Sequence, residues 1–189
     1  MKRALVALAA LLSLQAFGAL KEGAQAPEFT APASMAGKEI KFSLADALKK
    51  GPVVVYFYPA AYTGGCNIQA HTFSENADKF AAAGASIIGV SLDTIDRLNK
   101  FSADPQYCAG KIAVASDPDG KIAKSYELQV RDAKPGAKTT TGEEIGHGFA
   151  ERTTFVVTQD GKVAATIGGV APDENAKKAL ETVQKLKKG

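Results

Sequence analysis

Val53–Cys66 reads VVVYFYPAAYTGGC. Its first six residues, Val53 to Tyr58, are β-branched or aromatic with no polar interruption, the pattern of a central strand buried on both faces. Pro59 ends the run. Gly64 and Gly65 then belong to a loop that closes on Cys66, one of two cysteines in the chain. Beyond it, Phe73, Ala77 and Phe80 recur at i, i+4 and i+7, which predicts a helix from about Cys66 to Ala83, stopped by Gly84. The thiol is therefore expected at a strand-to-helix junction, in the first turn of the helix.

Working outward, Ala85–Leu92 (ASIIGVSL) reads as a second strand and Ile112–Ala115 as a short third one. Thr94–Ala103 and Asp119–Tyr126 read as helices, the first ended by Pro105. Thr153–Thr158 and Lys162–Ile167 flank Gln-Asp-Gly and read as a β-hairpin. Pro172 and Asp173 open a last helix to about Lys187, with Ala176, Leu180, Val183 and Leu186 on one face. Upstream, Leu20–Phe42 reads as extended chain, and Ser43 as the cap of a short helix, SLADALKK. Val130–Ala150, rich in Gly, Thr and Lys, reads as a long surface excursion. Strands alternating with helices predict a three-layer α/β domain over residues 20–189.

The N-terminus is of another kind. Lys2 and Arg3 precede an apolar run from Ala4 to Ala19 that ends in small residues, the form of a secretory signal peptide. Cleavage is expected after Gly18 or Ala19, with an uncleaved membrane anchor as the alternative. Losing Lys2 and Arg3 takes the formal charge from +3 to +1, which removes any electrostatic reason to expect nucleic acid. Export places the mature chain where disulfides persist. Cys66 and Cys108 are then either a structural bridge or a redox pair.

The first turn of a helix carries free backbone N–H groups and the positive end of the dipole, and both favour an anion. An ordinary thiol, with a pKa of about 8.5, is only about 3% ionised at pH 7, so such a position matters to a nucleophile. Thr63 offers a hydroxyl just upstream, to the sulfur or to a substrate oxygen. The competing reading is a small apolar residue packed under the strand.

Pro59, Thr63 and Cys66 stand as Pro-x-x-x-Thr-x-x-Cys. This resembles the peroxidatic motif of the peroxiredoxins, thioredoxin-like α/β/α sandwiches with a mixed central sheet that reduce hydroperoxides. APEF (26–29), VVVYFYP, IIGVSLD, SDPDGKIAKSY and RTTFVVTQDGKV look like the peroxiredoxin Q (bacterioferritin comigratory protein) branch, over about Leu20 to Leu186. The resemblance implies a thiol-dependent peroxidase without cofactor or metal. Cys66 would be the nucleophile, Thr63 and Arg152 the donors to the reacting oxygens, and Pro59 a shield of the pocket. Cys108 would be the resolving thiol, reaching Cys66 after the first helical turn unwinds. A resolving cysteine five residues after the first, known in one subgroup, is replaced here by His71. It further implies a monomer, a hydroperoxide substrate, and a thioredoxin-like protein or small thiol as reductant. Three features depart from the pattern: Gly64 replaces a proline, Gln69 replaces a frequent glutamate, and the 130–150 excursion is longer than usual.

Other functions find less support. A cysteine hydrolase needs a base beside the thiol. His71 is about 140° round the helix from Cys66, which leaves His147 in the excursion. A disulfide oxidoreductase of this fold would carry Cys-x-x-Cys, which is missing, and two scattered cysteines and two histidines make a poor metal site. The non-enzymatic rival is a binding domain with a permanent Cys66–Cys108 bridge, which would resist reduction.

Overall fold

The computed structural model describes residues 18–188, so most of the expected signal peptide, 1–19, lies outside the described residues. In chain order the elements are β1 (Thr30–Met35), β2 (Lys38–Ser43), α1 (Leu44–Leu48), β3 (Val53–Phe57), α2 (Gly64–Glu75) and α3 (Ala77–Ala82). Then follow β4 (Ser86–Ser91), α4 (Ile95–Ala103), β5 (Ala113–Ser116), α5 (Lys121–Ser125), β6 (Val130–Arg131) and β7 (Phe149–Ala150). β8 (Thr153–Val157), β9 (Val163–Gly168) and α6 (Pro172–Lys188) complete the chain.

β3 lies near the middle of a seven-stranded sheet ordered β2-β1-β5-β4-β3-β8-β9. The sheet is mixed: β3, β4 and β5 run parallel, while β8 pairs antiparallel with β3. Alternation along β3 divides its side chains between two cores. Val53, Val55 and Phe57 join Leu44 of α1 and Ala123 of α5 on one face. Val54, Tyr56 and Tyr58 join Phe73, Leu98, Phe101 and Val183 of the helices on the other. The result is the expected α/β/α sandwich, and both cysteines belong to the second core. Gly89 admits the Tyr56 ring: a Cβ there would stand 2.5 Å from Tyr56 Cζ. Tyr56 stacks on Phe73 at 4.5 Å, which seats α2 on the sheet.

Several elements differ from the sequence reading. The 66–83 helix is two helices. It begins at Gly64 and breaks at Asn76 (φ −102°, ψ 7°), whose side-chain amide donates to the Thr72 carbonyl at 2.8 Å in competition with the helical ladder. The extended N-terminal stretch contains the β1–β2 hairpin, turned by Ala36 (φ 51°) and Gly37 (φ 77°). Alanine is an unusual residue for such a turn, so the segment lacks the Asn-Gly signature. The excursion is clasped at its ends by β6 and β7, pairing Val130 with Ala150 and Arg131 with Phe149. On α6, Asn175, Ala176, Ala179 and Val183 are buried, while Leu186, in the last turn, is exposed. Among the described residues no helix is long and apolar enough to cross a membrane.

Candidate active site

Cys66 is the third residue of α2 and is 1% exposed. The helix opens with Thr63 as its N-cap, and the first helical bond runs from Asn67 N–H to the Thr63 carbonyl at 2.8 Å. Thr63 makes no side-chain cap. Its hydroxyl instead donates to the Ala60 carbonyl at 2.8 Å, so its proton is not directed at the sulfur; the oxygen keeps its capacity to accept. The first-turn N–H groups beside Cys66 are thus left without a threonine cap, at the positive end of the helix.

Arg152, immediately before β8, is the cation at this point. Its Nη2 donates to Cys66 Sγ at 3.4 Å, and its Nη1 donates to the Gly65 carbonyl at 3.3 Å and to Gln69 Oε1. Gly65 is what permits this approach: a Cβ there would lie 2.9 Å from Arg152 Nη2 and 3.3 Å from Pro172 Cγ. Around Gly64 nothing lies within 4 Å of a Cβ, so a side chain at that position would have open space.

In the sequence Gln69 stands out only as a departure from the family pattern. It is fully buried, and its Nε2 donates to Asn175 Oδ1 at 2.9 Å. Thr154 Oγ1 donates to the same oxygen, and Asn175 Nδ2 donates to the Ile167 carbonyl at 2.9 Å. This network aims the Gln69 carbonyl at Arg152. It is neutral, so no carboxylate partner of Arg152 occurs among the described residues. The signal was an asparagine on the buried side of an amphipathic helix, where an amide must find partners.

Pro59 is half-buried and, with Arg152, Arg131, Lys134 and Phe149, lines a cleft of about 700 Å3. Cys108 is fully buried in the turn after α4, and both cysteines are free thiols. Burial, then the Asp104 carboxylate, hold the Cys108 thiol well above the ordinary range. The two cysteine segments meet through Tyr62, whose ring packs edge-on against Phe101 at 5.1 Å and Tyr107 at 5.6 Å.

The histidines are elsewhere. His71 is exposed, with ring contacts to the Gln106 carbonyl and Glu75. Both ring nitrogens of His147 are occupied, by the Gly148 carbonyl at 2.8 Å and Asp93 Oδ1 at 2.9 Å. Neither serves as a base for Cys66, which removes the geometric footing of the hydrolase reading. No cluster of three or more metal-ligating side chains occurs among the described residues.

A model of the AhpC/TSA family matches residues 23–166. The chain belongs to that family. It is 28% identical to peroxiredoxin Bcp of Escherichia coli over 144 residues, covering 76% of this chain and 83% of the relative. The crystal structure of peroxidoxin BcpB from Mycobacterium tuberculosis superposes with a TM-score of 0.73 at 30% identity, covering 88% of this chain and 98% of that one. A Xanthomonas campestris bacterioferritin comigratory protein, solved in a study of its alkyl peroxide reduction activity, superposes at 0.65 with 25% identity, covering 82% and 91%. The protein is a peroxiredoxin with the thioredoxin-like fold, and its enzyme class is thiol peroxidase.

Proposed function

We propose that Cys66 is the peroxidatic thiol and that Cys108 resolves it through an intramolecular disulfide. The observation that carries this is the 3.4 Å contact of Arg152 Nη2 with a sulfur in the first turn of α2. The Cys66 thiolate attacks the terminal oxygen of a hydroperoxide. The O–O bond breaks, sulfur is oxidised to sulfenic acid, and the other oxygen leaves as alkoxide or hydroxide and takes a proton. Arg152 stabilises the leaving charge, the Thr63 oxygen accepts from the peroxide O–H, and Pro59 walls the site from water. The Cys108 thiolate then attacks the sulfenic sulfur and releases hydroxide, which is protonated to water. A thioredoxin-like protein or small thiol reduces the disulfide.

Hydrogen peroxide and organic hydroperoxides are the proposed substrates. The cleft bounded by Pro59, Phe149 and Arg152 gives an alkyl group room beside the site. The basic, then apolar, N-terminus supports export to a periplasmic or extracellular space with the leader removed, the alternative being an uncleaved anchor. A monomer is favoured because, among the described residues, the large exposed apolar side chains, Ile40, Ile68 and Leu186, lie on separate elements.

The test is a free-thiol count and intact mass of reduced protein after one equivalent of hydrogen peroxide. Wild type should lose both thiols without gaining oxygen, while Cys108→Ser should stop at a sulfenic acid on Cys66. Survival of both thiols would sink the assignment. A bridge that forms but resists thioredoxin-like donors would mark it as structural.

A further inference from the structure

The connection between Arg131 and Phe149 is bonded to the Cys66 loop at one point and, through an intermediary, at a second. Directly, Thr140 N–H and Oγ1 both donate to the Tyr62 carbonyl, at 2.7 and 2.9 Å. Tyr62 holds a left-handed backbone (φ 59°), which a tyrosine adopts only under constraint. The intermediary is Asp93, fully buried two residues beyond β4. Its Oδ2 accepts from Ala61 N–H at 2.7 Å and from Ser91 Oγ at 2.8 Å. Its Oδ1 accepts from His147 Nε2 at 2.9 Å and from Arg97 Nη1 at 3.4 Å. One carboxylate thus joins the Cys66 loop, the connection, and α4, the helix that leads to Cys108.

We propose that Asp93 and His147 are positioning residues for Cys66: with Thr140 they latch the Pro59–Thr63 loop in the form that sets the thiol against Arg152, and their release frees the loop to carry Cys66 to Cys108. The consequence for catalysis rests on the peroxidatic reading of Cys66; the latch itself does not.

The latch depends on pH through the partners of His147. The Gly148 carbonyl and the Asp93 carboxylate are both acceptors, so only the imidazolium, with two N–H groups, satisfies both. Burial opposes the charge, but the Asp93 hydrogen bond, the Gly148 carbonyl and the Asp93 charge outweigh it and raise the His147 pKa above its ordinary 6.5. Arg97 from α4 acts in the other direction and is itself paired with Glu143 of the connection at 3.6 Å. The Phe149 ring stands edge-on to the imidazole. Because the folded pKa is the raised one, the latch is fully closed below about 6.5 and loosens as pH rises through the folded value.

Amide hydrogen exchange on the reduced full chain, without peroxide, tests this. The reporters are the N–H groups of Ala61 and Thr140, corrected for intrinsic exchange, with Val54–Tyr56 of β3 as the internal measure of global folding. In wild type, exchange at both reporters should rise together by about tenfold as pH is taken from 6 up through the folded-state titration of His147, the effect of losing one charge-assisted hydrogen bond. His147→Gln, which donates without titrating, should be flat over that range, and His147→Ala should be fast throughout. Equal reporter exchange in wild type and His147→Ala at every pH, or a change at Thr140 that leaves Ala61 unmoved, would overturn the proposal. If peroxide fails to oxidise Cys66, the peroxidatic reading falls while the exchange result stands or falls separately.

Discussion

Arg152 reaches Cys66 across Gly65, whose missing side chain leaves the space the guanidinium fills. The glycine nearer the cysteine is therefore part of the site, while Gly64 faces open space. Gly65→Ala should push Nη2 away from the sulfur and lower the rate constant of Cys66 with hydrogen peroxide by about ten- to a hundredfold. Gly64→Ala should leave it within about twofold. Stopped-flow oxidation of the two variants checks the contrast, and equal losses would refute it.

Removing the guanidinium should cost more. Arg152→Gln should slow peroxide reduction by about a hundredfold or more, the range for losing one donor to a developing oxyanion. Arg152→Lys should recover only part, because one ammonium does not serve the sulfur, Gly65 and Gln69 in the same fork. Single-turnover kinetics with each variant measures both effects.

The amide of Gln69 donates to an Asn175 oxygen that also receives the Thr154 hydroxyl, so a carboxylate at 69 would face an acceptor. Gln69→Glu should therefore lower stability by about 1–3 kcal/mol at pH 7, despite pairing with Arg152. Asn175→Ala, which orphans the Gln69 amide and the Ile167 carbonyl, should cost a similar amount. Urea unfolding of the reduced proteins is the measurement. Unchanged midpoints in both would show that the network contributes nothing.

Cys108 should be the slower thiol to alkylate in the folded reduced protein, since it is fully buried and its ionisation is suppressed. The sign for stability follows from that suppression. Above about pH 8.5 the unfolded chain loses a proton that the folded chain keeps, so stability falls as pH rises. Cys108→Ala should shift the whole curve down by a cavity cost and remove this part of the decline. Unfolding free energies from pH 7 to 9.5 would show the two curves converging; parallel curves would contradict the assignment.

Much of the site was legible locally. The buried strand and the thiol at a helix start follow from spacing within a few residues, while Pro59, Thr63 and Arg152 came through the resemblance to a known family. The hairpin at Ala36–Gly37 and the break at Asn76 were missed although they are also local. There the residues present, an alanine in a left-handed turn and an asparagine inside a helical pattern, lack the usual signatures.

The sequence by itself determined most of the strands and helices around the buried strand, the place of Cys66 at a helix start and the family. Hydrophobic periodicity and short motifs are properties of neighbouring residues. Only the tertiary structure decided what each polar side chain touches. It paired Gln69 with Asn175 and Arg152, turned the Thr63 hydroxyl to Ala60, and sent His147 to Asp93 rather than to Cys66. Most of those partners are tens of residues apart, and no spacing rule encodes them. A buried polar atom must be satisfied by whatever donor or acceptor the fold brings beside it.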